Sequence, residues 1–162
     1  MAELTNLETK LGEVIGLAMA AQAATERVEK LTKDAKLRKQ LKTMRQEAAK
    51  AEKDGTAVAA SMNGKKGKIL AEARTVKTKG ANMMKTYLER GSDELDGFEF
   101  LTMAEAGEVG HWGVLQELNK QAKHPGIRDL VKVQLPIQKR HLKDVMAASL
   151  QLAAKEDANA AA

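Results

Sequence analysis

The chain has 162 residues, 43% of them hydrophobic and 2% aromatic, and its 27 Lys and Arg against 22 Asp and Glu give a formal charge of +5. Ala, Leu, Lys, Glu and Met dominate while β-branched and aromatic residues are sparse, which excludes a β-rich or a disordered chain. The expected fold class is therefore all-α, one helical domain over 1–156 with a disordered Ala-rich tail over 157–162.

Cysteine is absent, which removes disulfides, thiolate metal sites and cysteine nucleophiles together. No basic leader precedes an apolar run and no uninterrupted apolar stretch reaches spanning length, so the cytoplasm is the expected location and no membrane partner is expected. The modest positive charge permits attraction to polyanions without requiring it.

In chain order, the first helix is expected over about 3–33. Leu4, Leu7, Leu11, Val14, Ala18, Ala21, Thr25 and Val28 recur at alternating steps of three and four, the seam of a long helix packed at a shallow angle. Gly12 and Gly16 weaken it but admit a close neighbour. Asp34 is the expected N-cap of a second helix over about 35–62, whose seam of Leu37, Leu41, Met44, Ala48, Ala51, Val58 and Met62 is apolar throughout. So short a connection makes the two an antiparallel hairpin.

Asn63-Gly64 ends the second helix, with Gly64 suited to the left-handed position beyond it. The basic run Lys65-Lys66-Gly67-Lys68 leads into one or two crossover helices over about 69–90. That run lacks the strand and the spacing of a phosphate loop, and it reads as a solvated connector. A third long helix is expected over about 95–122 and a fourth over about 127–154, joined at His124-Pro125-Gly126, with His124 an exposed turn residue. Pro136 lies inside the fourth helix and is expected to kink or widen it beside Gln138.

The third helix is given the seam Leu101, Ala104, Glu108, His111, Leu115, Leu118 and Ala122. The fourth carries Val131, Gln134, Gln138, His141, Val145, Ala148 and Leu152. Polar residues thus occupy places that the first two helices reserve for apolar ones. Glu108 and His111 are three residues apart, as are Gln138 and His141, so each pair shares a helix face. A fold-back near His124 puts Glu108 opposite His141 and His111 opposite Gln138, with Glu105 and Asp144 one turn away. Trp112 reads as core packing.

Burying such groups unpaired costs several kcal/mol, so they must satisfy one another, a water or an ion. Two readings stand open. One is a hydrogen-bond network that sets helix register. The other is a site for iron, manganese or zinc built from Glu105, Glu108, His111, Gln138 and His141, since imidazole nitrogen and carboxylate oxygen suit those metals.

Two hairpins joined by a long crossover, with Glu105-x-x-Glu108 on the third helix and Gln138-x-x-His141 on the fourth, resemble the ferritin-like superfamily. The inserted segment after the second helix and the Glu108-x-x-His111-Trp112 run are most similar to the small bacterial stress-associated ferritin-like proteins of the YciE/YciF type. The resemblance implies a four-helix bundle with an extra crossover helix, a homodimer, a cytoplasmic location and a carboxylate-bridged di-metal centre. In that centre Glu105 or Glu108 matches the bridging carboxylate and His141 the imidazole of the last helix.

The sequence departs from the pattern at Gln138, where a charged ligand is usual. It departs again at Glu47-x-x-Lys50, where a histidine belongs, and on the first helix, which has Gln22 near its middle and Glu13 on its outer face. One metal ion or none is the resulting expectation. A second function class is a non-catalytic scaffold that acts through its surfaces, with the basic stretch from Lys65 to Lys85 meeting an acidic partner or nucleic acid.

Overall fold

The computed structural model describes residues 3–161. Met1, Ala2 and Ala162, which close the ends of the expected domain and tail, lie outside the described residues. The fold is all-α, with no strand among the described residues.

Helix α1, Asn6–Leu31, opens on a capping box in which Thr5 and Glu8 satisfy each other's backbone amides. Helix α2, Ala35–Ala60, begins at Asp34, whose carboxylate accepts from the amides of Lys36 and Leu37. It closes through Asn63 and Gly64, both at positive φ. The crossover is one continuous helix, α3, Lys66–Tyr87. Helix α4, Glu94–Ala122, starts with a second capping box, Asp93 with Asp96. Helix α5, Pro125–Ala153, is capped by His124. Beyond it the chain to Ala161 is exposed and carries short turns.

Helices α1, α2, α5 and α4 contact one another in a closed ring, and α3 lies outside it against α1. The cross-helix partners give the directions. Ile15 meets Gly55, Gln22 meets Glu52 and Glu29 meets Arg45, so α1 and α2 are antiparallel. Thr102 meets Ser149 and Glu108 meets Gln138, so α4 and α5 are too. Gly12 lies beside Ile69 and Gly16 beside Ala73, so α3 runs parallel to α1 and carries the chain back along the whole ring.

That return depends on two missing side chains. A Cβ on Gly12 would stand 2.7 Å from the Ile69 carbonyl oxygen, and one on Gly16 would stand 2.3 Å from that of Ala73. Both fall well inside van der Waals contact, so the backbones of α1 and α3 meet at distances only glycine allows.

The apolar seams of α1 and α2 hold as expected from Leu11 to Val28 and from Leu37 to Ala51, with Gly55 and Ala59 continuing the second where Val58 was expected. The α4 seam differs from expectation. The buried positions are Leu101, Glu105, Glu108, Trp112, Leu115 and Asn119, while Ala104, His111 and Leu118 are only half-buried and Ala122 is exposed. Steps of three and four can be read from Leu101 in two orders. The indole of Trp112, with more apolar area than any neighbour, turns the helix toward the order that encloses it.

On α5 the seam from Val131 to Ala148 is buried as expected. The helix runs without interruption through Pro136, which is exposed, as is Lys132 one turn before it. The hydrogen bond that proline removes therefore falls on the solvent side.

Two apolar clusters fill the interior. One gathers Leu11, Ile15, Ile69, Trp112, Leu115 and Ile127 toward the α4–α5 turn. The other gathers Val28, Leu41, Phe98, Leu101 and Val145 toward the opposite end. A polar layer lies between them.

Candidate functional site

Helices α4 and α5 contribute Glu105, Glu108, Gln138 and His141 to that layer, each at most 5% exposed. The Gln138 side-chain amide donates to Glu108 and, at 3.4 Å, to Glu105. His141 Nδ1 stands 3.6 Å from a Glu105 oxygen, and its Nε2 stands 3.3 Å from Glu47 on α2. Glu47 also accepts from Arg140. The layer therefore links α4, α5 and α2 in one chain of contacts.

Its electrostatics follow from burial and from the nearness of like and unlike charge. Burial pushes the Glu108 carboxyl well above its usual 4.5, and the neighbouring Glu105 carboxylate pushes it further, against the lowering effect of the Gln138 amide. Burial alone would depress the His141 imidazole. The carboxylates of Glu105 and Glu47 outweigh that and raise it above its usual 6.5. Glu108 thus favours the neutral acid, and His141 favours an imidazolium held between two carboxylates.

The pairing differs by one helical turn from the expected register. His141 meets Glu105 rather than Glu108, and Gln138 meets Glu108 rather than His111. His111 lies on the α1 side of α4, its side chain 41% exposed, 3.1 Å from Glu13 and 3.2 Å from Lys10. Of the five candidate ligands the structure brings together Glu105, Glu108, Gln138 and His141, and it places His111 elsewhere. Asp144 is half-buried and lines a cleft facing α2 with Lys36 and Gln40. His124 is a half-buried cap whose Nδ1 accepts from Ile127, and Asn119 clamps its backbone.

Glu47 is the member of the layer that seam reading missed, because it precedes the buried Ala48 and sits at the edge of the apolar face of α2. The signals available were the Glu47-x-x-Lys50 step, set against a ligand pair by the resemblance, and the level of Glu47, which faces the His141 turn. A cavity of about 190 Å3, walled by Leu17, Ala20, Gly80 and Met103, reaches Glu105 and Glu108 from the groove between α3 and α4, and His111 lines it too, although its hydrogen bonds go to Glu13 and Lys10.

The donor set fits a metal poorly. The Gln138 amide, a donor, sits between the two carboxylates, the position a bridging cation would take. No group of three or more His, Cys, Asp or Glu among the described residues is arranged to hold a metal ion. No helix among the described residues is long and apolar enough to cross a membrane. Compared with protein-family models, curated proteins and solved structures, the chain matches none.

Proposed function

We propose that the chain is a ferritin-like four-helix bundle, with α3 as its crossover, in which the metal site of that architecture is vestigial. It acts as a non-catalytic scaffold whose polar layer carries protons and hydrogen bonds in place of a metal. The observation that supports this most is the Gln138 amide between Glu105 and Glu108. Gln138 turns a place for a cation into a place for N–H donors, and the proton favoured on Glu108 removes the remaining repulsion. The ring order α1, α2, α5, α4 and the crossover running the length of α1 support the ferritin-like part of the reading.

The layer ties helix register to protonation. Both raised groups bind a proton more tightly folded than unfolded, so each stabilises the fold when protonated. The Glu108 contribution is complete below about pH 4.5 and is lost as pH rises through its raised value. The His141 contribution is complete below about pH 6.5 and is lost as pH rises through its own raised value.

The test combines titration with iron, manganese and zinc and stability measured against pH. The expected result is no stoichiometric metal uptake and a stability that declines toward alkaline pH, the decline being shallower in Glu108→Gln. One equivalent of metal bound by the natural chain and lost in His141→Ala would overturn the reading.

A further inference from the structure

The same structure carries a second feature, unrelated to the polar layer. Arg128, Lys132, Lys139 and Lys143 on α5 are all exposed. Their spacings of four, seven and four residues hold them within an arc of about 60° on the helix surface. The stripe runs about 22 Å along the axis, the length of six or seven base pairs of a duplex. Arg128 and Lys132 also line a cleft of about 680 Å3 with Lys120 and Lys123 at the α4–α5 turn, and no acidic side chain lines it.

Few acids oppose this charge. Asp129 pairs with Arg128 and Glu117 with Lys120, but both pairs are about two-thirds exposed or more and contribute little. Among the described residues Lys123, Lys132, Lys139 and Lys143 have no ion pair. The turn that presents Lys123 is rigid: Asn119 bonds both backbone groups of His124, and Lys123 holds a positive φ of 54°.

We propose that the outer face of α5 and the α4–α5 cleft bind the phosphate backbone of double-stranded nucleic acid. Cations along one face of a helix form the electrostatic footprint of such a partner. A protein partner would need an apolar centre in its interface, and from Arg128 to Lys143 the arc holds no exposed apolar side chain; Pro136 lies beside it, and Met146 and Leu150 follow only beyond its end. With no aromatic side chain on the arc, bases have nothing to stack on, so binding is to the backbone and without sequence preference. This places the contact on α5 rather than on the basic crossover. There Lys65 is tied to Glu8 and to the Glu3 carbonyl, and Lys77 and Lys79 point to different sides of α3.

The test is binding of the full chain to a labelled DNA duplex, followed by anisotropy between about 50 and 200 mM salt. The natural chain is expected to bind with a slope of log affinity on log salt near about −4. Lys132→Ala with Lys139→Ala is expected to make that slope shallower by about 2, with helicity unchanged by circular dichroism. Lys77→Ala with Lys79→Ala is expected to leave it as it was.

Absence of duplex binding at low salt would overturn the proposal. So would binding that ignores the α5 substitutions, or polyglutamate bound as tightly as duplex. The polar-layer reading is tested separately, because neither metal uptake nor the alkaline decline depends on these lysines.

Discussion

The two hairpins share a geometry and differ in what they bury. Between α1 and α2 the seams are apolar but for Thr25, whose hydroxyl bonds back to Ala21 of its own helix, and cross-helix polar contacts such as Glu29 with Arg45 stay at the margin. Between α4 and α5 the interior holds Glu105, Glu108, Gln134, Gln138 and His141, and the Gln134 amide nitrogen is buried without a partner. Apolar seams tolerate sliding by a turn, since one Leu-to-Ala contact resembles another. A layer of directional donors and acceptors does not, because a slip of one turn would strand buried charge. The first hairpin supplies stability, and the second chooses among alignments.

Three substitutions sharpen that contrast. The largest expected effect is His141→Ala, which leaves the buried Glu105 without its cation while Glu47 keeps only the exposed Arg140. A loss of about 3–5 kcal/mol in chemical denaturation is expected, and a loss under about 1 kcal/mol would show that the layer does not act as a unit. Next is Gly16→Ala, whose added methyl meets the Ala73 carbonyl at 2.3 Å and forces α3 away from α1. A loss of about 1–3 kcal/mol follows from overpacking, read as a lower Tm; an unchanged Tm would mean that α3 is not anchored there. The smallest is His111→Ala, expected within about 0.5 kcal/mol because the ring is half-exposed and outside the layer. A change as large as that of His141→Ala would restore His111 to the buried cluster.

Most of the architecture was legible in the residues. The heptad seams of α1, α2 and α5, Asp34 as a cap, Gly64 as a stop and the use of Gly12 and Gly16 for a close neighbour all follow from local rules that the packing obeys. The α4 register was not legible, because Leu101-Ala104-Glu108-His111 and Leu101-Glu105-Glu108-Trp112 are equally periodic. Only the volume of Trp112 in a filled interior separates them. That shift removed His111 from the cluster and matched His141 with Glu105. Glu47 escaped for a related reason: it belongs to the layer through a partner on another hairpin, and spacing within one helix carries no such information. The α5 stripe was legible in principle, as Arg128, Lys132, Lys139 and Lys143 share one face, but the denser lysines of the crossover draw the eye first.

The notch at Gly12 and Gly16 has a consequence for how the molecule meets others. Whereas α5 meets only α2 and α4 among the described residues, helix α1 is walled in by α2, α3 and α4. A visitor cannot reach it without dislodging α3, whose fit depends on backbone and not on exchangeable side chains. On the far side of the ring the outer surface belongs to α5, which turns its lysines outward.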